Sequence, residues 1–384
     1  MPTDIDILRK IDRIHPYPAK FPVDLAMNYI SKYTNIGNTV YDPFVGSGTT
    51  LLASRALERN AYGTDVNHIA VLISQFKLLS LSQNDIKELW DFIARFENSF
   101  FDIVKTVPRF YYKSIDHWFC ADAITVLSVI KSEISKLGKN EQKIFCNLVF
   151  SSIINTVSNQ ESDTRYAAII KPNLNIQHIF DVFVKKFKTI LSLFEIYNEK
   201  FIMKSNCEVL LSDSQYCNQI LKLNSVDLIL TSPPYPNTYD YYLYHKHRMN
   251  WLECDVKYSM ETEIGSRREY SSLKKPQEKF SEDLFIIFNS CNDVLKQNGH
   301  VVIVMGDGKI QGKTYEAKEN IERICYKFNW LLTDYSYTYL DQTSKSFQQS
   351  YRTKGKKEHV LVFKKEKYLA LSFSPTYIPR TSFL

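Results

Sequence analysis

The stretch from Asn38 to Leu81 changes period three times in succession. "NTVYDPF" (38–44) is short and β-rich, and "TTLLASRALERN" (49–60) spaces Leu51, Leu52 and Ala56 as one face of a helix. "AYGTDV" (61–66) again reads as a strand, and "HIAVLISQFKLLSL" (68–81) as a helix. A βαβα run of this length closes only as neighbouring parallel strands with crossover helices, the start of a doubly wound sheet. The rhythm then stops. From 82 to 204 the chain carries long amphipathic helical segments (84–100, 121–137, 141–158 and 176–201), broken by one turn-rich patch, "NQESDTRYAAIIKPN" (159–173). It resumes with strands expected at 207–213, 226–232, 300–307, 330–340 and 358–365, and helices at 240–252, 281–296 and 315–328. Only a short polar segment, 341–357, separates the last two strands, so they should pair antiparallel. The expected fold is α/β: a Rossmann-like, seven-stranded mixed sheet with its last strand antiparallel and a large helical insertion. On this reading 1–81 and 205–384 form one catalytic unit, and 82–204 is an insertion and candidate target-recognition region.

Composition narrows the classes. At 384 residues and 44% hydrophobic content, the chain can bury a sizeable core. It has no run of 18 uncharged apolar residues, and "MPTDIDILRK" lacks the apolar stretch of a signal peptide, which points to the cytoplasm. Seven scattered cysteines without CxxC pairs read as free thiols, with no metal site. Much of the net charge of +6 lies in 351–367, where seven Lys/Arg face two Glu. Either a polyanion partner or a Lys-guarded edge strand accounts for that.

Two turns carry the chemistry. In "YDPFVGSGTTLLAS", Gly46 and Gly48 sit where strand becomes helix, the edge at which α/β sheets bind nucleotides. The spacing is neither G-x-G-x-x-G nor a P-loop. Asp42 before the turn would repel phosphate and suit a cation; Asp65, ending the second strand, is placed for ribose hydroxyls. Both could instead be helix caps. In "LILTSPPYPN" (228–237), Pro233 and Pro234 end a central strand because they carry no N–H. Their carbonyls and the Ser232 hydroxyl are acceptors that could hold an exocyclic amino group, with Tyr235 as a flat stacking surface. A plain Pro-rich turn is the alternative.

These motifs together resemble the amino-group DNA methyltransferases. "DPFVGSGTT" is similar to that family's S-adenosylmethionine motif, F-x-G-x-G. "TSPPY" is similar to its catalytic motif, [DNST]-P-P-[YFW]. "HPYPAKFP" (15–22) is similar to the segment over the methionine end of the cofactor, and 235–252 resembles the helix after the catalytic motif. The position of the insertion, before the catalytic motif, is that of the α class.

The resemblance implies catalytic roles for Ser232, Pro233, Pro234 and Tyr235. It implies S-adenosylmethionine as cofactor, bound by Lys20, Phe21, Asp42, Phe44, Gly46, Gly48, Thr49, Asp65 and Asp213. Ser at the first motif position goes mostly with N4-cytosine methylation, and Asp or Asn with N6-adenine, so adenine stays open. C5 chemistry would need a Cys after Pro, which none of the seven is. The implied substrate is double-stranded DNA, with a cognate restriction endonuclease as a candidate partner. DNA contacts are expected from Arg165, from His247 and Arg248 in "HKHR", from Arg267 and Arg268 in "SRREY", and from 345–357. A binding module that keeps only the fold is the non-enzymatic alternative.

Overall fold

A computed structural model describes residues 3–172, 174–202, 204–339 and 356–367. In chain order the strands are β1 (Thr39–Asp42), β2 (Asn60–Asp65), β3 (Gln160–Ser162), β4 (Arg165–Ala168), β5 (Cys207–Leu211), β6 (Val226–Thr231), β7 (Leu295–Gly306), β8 (Gly308–Ile310), β9 (Lys313–Tyr315), β10 (Trp330–Tyr339) and β11 (Lys357–Lys365). Seven of them form one sheet in the order β10-β11-β7-β6-β1-β2-β5. β1 is parallel to β2 and β6, β2 to β5, and β6 to β7, whereas β11 runs antiparallel to both β7 and β10. All seven strands expected from the sequence are present, and the last strand is the antiparallel one.

The central strands are buried on both faces, so their sequences are nearly continuous apolar runs. Alternate residues belong to different cores. Val40, Leu228, Leu230, Val302, Val304 and Val362 face one hydrophobic cluster, and Tyr41, Ile229, Val301, Ile303, Leu361 and Phe363 face the other. The helices Glu278–Val294 and Ala317–Tyr326 cover the second face.

The first face is covered by two N-terminal helices, Asp4–Asp12 and Val23–Tyr33, together with the insertion. The insertion's four long helices are Gln83–Ile103, Ala121–Ser135, Asn140–Ile154 and Ile176–Lys200. A phenylalanine cluster holds them together; the Phe100 and Phe180 rings stack 4.1 Å apart. They share one continuous core with the sheet. Arg55, 2% exposed, ties them further: its guanidinium donates to the carbonyls of Lys77, Leu79 and Phe201 and lies over the Tyr197 ring.

Three features depart from the sequence reading. The two N-terminal helices were not expected. The turn-rich patch at 159–173 contains the β3–β4 hairpin, paired Gln160↔Ala168 and Ser162↔Arg165. A second hairpin, β8–β9, follows β7. Both hairpins are three or four residues per strand, too short for alternation to register. Among the described residues, no helix is long and apolar enough to cross a membrane.

Candidate active site

β1 ends at Asp42, and its chain must turn at once into the helix Thr49–Ala56. Gly46 and Gly48 make the turn with φ of +49° and +77°. Gly48 is also sterically required, since a Cβ there would lie 2.6 Å from Ser74 Oγ and 3.0 Å from Ser74 Cα. Asp42 is 2% exposed and accepts from Thr50 Oγ1 (2.6 Å), Thr231 Oγ1 (2.6 Å) and the Phe44 N–H (3.1 Å). Burial pushes its carboxyl up to about 6. Asp42, expected to face a cation, lines the cleft described below and also has a structural role. It braces the glycine turn against the end of β6, where the second turn starts. Asp65, at the end of β2, accepts from the N–H groups of Gly46 (2.9 Å) and Asn67 (2.8 Å), and burial pushes it up to about 6 as well.

The second turn leaves β6 through Ser232, Pro233, Pro234 and Tyr235. Later parts of the chain hold it. The Asn237 N–H donates to Gly265 O (2.8 Å) and its side chain to Lys309 O (2.6 Å). Pro236 packs on Gly308, where a Cβ would lie 2.6 Å from the proline ring. Tyr235 is not the exposed aromatic expected. It is 5% exposed, sits in the second core cluster, and donates its hydroxyl to Glu358 on β11 at 2.5 Å.

Between the two turns lies a cleft walled by residues of both. Of the residues expected to bind cofactor, Lys20, Phe21, Asp42, Phe44, Gly46, Thr49, Asp65 and Asp213 line it; so do Ser232 and Pro234 of the second turn. Gly48, Pro233 and Tyr235 are not among the lining residues. Lys20 reaches Asp12 (2.9 Å), which also receives Lys77 Nζ (2.8 Å) and Thr49 Oγ1 (2.8 Å). Burial pushes the Lys77 amine down to about 8. Asp213 caps the turn Ser214–Tyr216 through the Gln215 N–H (3.0 Å).

Among the wall residues that the sequence reading did not single out are Tyr17, Tyr241 and Glu263. The rings of Tyr17 and Tyr241 stack 5.7 Å apart. Tyr17 lies within "HPYPAKFP" and Tyr241 within the segment after TSPPY, so both stood in quoted motifs. Nothing in the spacing marks Glu263.

The expected DNA contacts fare differently. His247 and Arg248 are 1% and 0% exposed, a correction. His247 stacks on Tyr166 of β4 at 5.2 Å. Arg248 ion-pairs with Asp163 and donates to Ser151 O (3.0 Å). "HKHR" looks like a solvated run, but it lies on the helix Tyr241–Trp251, and the insertion covers that helix. Arg267 is held by Asp240 (3.0 Å) and Tyr244 Oη (3.0 Å). Arg268 is half-buried, with its N–H on Asp240 (3.1 Å). Arg165 is exposed and pairs with Glu161 (2.7 Å). Of the basic segment 345–357, residues 345–355 lie outside the described residues.

A family model described as "DNA methylase", for N6 and N4 enzymes, matches residues 4–76 and 226–379, more than half of the chain. The chain belongs to this DNA methylase family. Several relatives are named as type II methyltransferases, among them three with long matches. M.MvaI of Kocuria varians is 25% identical over 280 residues, covering 66% of this chain and 59% of its own length. M.MjaII of Methanocaldococcus jannaschii is 21% identical, covering 78% and 73%. M.BsoBI of Geobacillus stearothermophilus is 25% identical, covering 70% and 58%. The chain thus spans under two thirds of the length of the first and third. Among solved structures, TrmN from Thermus thermophilus overlaps at 10% identity and a TM-score of 0.37, covering 92% of this chain and 51% of that one.

S-adenosylmethionine is the cofactor of this family, and the cleft fits it. Four carboxyl groups, Asp42, Asp65, Asp213 and Glu263, line the cleft, against the single amine of Lys20, which Asp12 already engages. That balance suits a ligand bearing an ammonium and a sulfonium. Ser47 Oγ and Asn67 Nδ2, both from lining residues, are buried with no hydrogen-bond partner in the protein. A polar ligand would supply those partners.

Proposed function

We propose that the chain is a site-specific DNA methyltransferase acting on the exocyclic N4 amino group of a flipped cytosine in duplex DNA. We further propose that it is the modification half of a restriction–modification pair. One observation carries the reading: Ser232 and Pro234 share a cleft with Gly46 and Asp65, and the Asp42–Thr231 bond joins the two turns. Ser at position 232 favours cytosine over adenine by its resemblance to the N4 enzymes. The type II names of the relatives support the restriction–modification context.

S-adenosylmethionine supplies a methyl group on positively charged sulfur. The chain's own part is to hold the amino nitrogen in line with it. The Ser232 hydroxyl and the Pro233 carbonyl accept the two amino hydrogens, which frees the nitrogen lone pair from the ring. The base must leave the duplex to reach them. Most of the acceleration then comes from orientation, since TSPPY contains no strong base, and the extra proton of the methylated nitrogen passes to solvent. A stacking role for Tyr235 requires its ring to come out of the core cluster. Lys20 and Phe21 close the methionine end, and Asp65 takes the ribose. The insertion, whose β3–β4 hairpin lies beside the helix Tyr241–Trp251, serves in target recognition, with Arg165 as one exposed cation on that hairpin.

The test is methylation of DNA with labelled cofactor, followed by digestion to nucleosides. N4-methylcytosine is the expected product, and N6-methyladenine would overturn the cytosine assignment. If the wild type and Tyr235→Ala protect the same DNA and neither transfers label, the protein is a binding module.

A further inference from the structure

Glu263 belongs to none of the sequence motifs, yet it lies in the wall of the cleft with Asp65, Ser232, Pro234 and Tyr241. It is 8% exposed and follows the short helix Val256–Thr262. Its carboxyl oxygens accept from the N–H groups of Tyr241 (2.8 Å) and Tyr242 (3.0 Å), the first two residues of the helix Tyr241–Trp251. Asp240, the local N-cap residue, makes no side-chain cap because its oxygens hold Arg267 and the Arg268 N–H. Two of the four lone-pair sites of Glu263 are therefore used and two remain.

Its charged and titratable surroundings are nearly all acidic. Asp65 faces it from the end of β2 and Asp240 from the N-cap of the helix Tyr241–Trp251. Tyr17 faces it from the N-terminal segment, and Tyr241, Tyr242 and Tyr244 from the helix. The nearby cation, Arg267, is engaged by Asp240, and Lys20 by Asp12. Burial pushes Glu263 up to about 8; the two N–H bonds pull it down, and Asp240 and Asp65 push it up again. Burial thus favours its protonated form at neutral pH. A helix cap alone would not require a carboxyl group, so placed, to open on a cofactor cleft.

We propose that Glu263 reads the charge on the cofactor's sulfur, holding the sulfonium of S-adenosylmethionine and releasing the neutral thioether left after transfer. This rests on the cofactor reading above. When the sulfonium enters, the carboxyl proton goes to solvent and the carboxylate faces the cation. Once the methyl group has gone, the sulfur is neutral and the carboxylate takes a proton back. The product then loses an attraction that the donor had. Glu263 is in this sense a specificity residue for the donor over the product.

The experiment is calorimetric titration of the full chain at pH 7 with S-adenosylmethionine and with S-adenosylhomocysteine. Each is run in two buffers of different ionisation enthalpy, so that protons released on binding are counted. The two ligands share the ammonium and carboxylate and differ in the sulfur charge. The wild type should release most of a proton with the sulfonium ligand and almost none with the thioether, and should prefer the former by about tenfold. Glu263→Gln, its fold checked by circular dichroism, should lose both the release and the preference; Glu263→Asp should regain part of each. If the Gln variant keeps the release and the preference, the inference fails. Equal proton release by both ligands in the wild type overturns it without any variant. If neither ligand binds the wild type, the cofactor reading falls and this inference with it.

Discussion

The two turns that build the cleft are held in different ways. The glycine turn after β1 is made mostly by its own neighbourhood (Asp42 on Phe44 and Thr50, Gly46 on Asp65, Gly48 against Ser74), with the Thr231 hydroxyl on Asp42 as its long-range tie. The Ser-Pro-Pro-Tyr turn after β6 depends on chain that comes later, namely Gly265, Gly308, Lys309 and Glu358. The helix that follows it leans on the insertion through His247, Arg248 and Asp163. A cofactor turn of local origin can form with the first βαβ unit. The target turn is complete only when the whole sheet has assembled.

Acid should separate the two regions most strongly, because their buried groups shift with opposite signs. His15 and His247, on the insertion side, are both pushed by burial down to about 3. A base with a lowered value gives its full stability above about 6.5 and loses it as pH falls towards 3. Between pH 7 and 5 that is roughly 2 kcal/mol for each histidine. Asp42 and Asp65 are raised to about 6, so their contribution is full below about 4 and is lost as pH rises through 6. Hydrogen exchange at pH 5 should therefore show the helix Tyr241–Trp251 and the β3–β4 hairpin opening before the glycine turn. The reverse order would break the comparison.

Asp163→Ala leaves the fully buried Arg248 without its countercharge and should cost about 3–5 kcal/mol in urea unfolding. If Arg248 contacted DNA instead, the salt dependence of binding would change more than stability. Gly48→Ala forces a positive φ and a contact with Ser74, and should cost about 1–3 kcal/mol and weaken cofactor binding in the same calorimetric assay. Gly308→Ala sharpens the contrast, because its Cβ would strike Pro236 and displace only the target turn. It should lower kcat by about tenfold or more with cofactor Kd unchanged. Tyr235→Phe loses the bond to Glu358 and should destabilise by roughly 1.5 kcal/mol or somewhat more, the usual worth of a bond to a charged group.

Much of this was legible before the structure. The alternation of Val40, Leu228, Ile229 and Leu230 between two cores shows why the strands read so clearly: each is an apolar run flanked by turns. Eight of the nine expected cofactor residues line the cleft, because a strand–Gly–helix junction is a short-range pattern. Glu263 was invisible because its partners, Tyr241 and Tyr242, lie more than twenty residues upstream and are bonded through backbone N–H groups, which leave no side-chain signature. His247 and Arg248 misled because charge in a sequence signals solvent unless a partner is known, and Asp163 lies on a hairpin too short to recognise.

The sequence by itself determined the sheet, its strand count and antiparallel last strand, the two turns, and membership of a family of DNA methylases. These depend on periodicity and on residues with special backbone chemistry, Gly and Pro, which act within a few positions. Tertiary structure alone decided that Tyr235 is buried on Glu358, that Asp42 braces the turns, that the basic run after TSPPY faces the insertion, and that Glu263 joins the cleft. Each of those is a pairing of polar groups brought together by packing. What a charged side chain does depends on the partner it meets and on how much water is left around it.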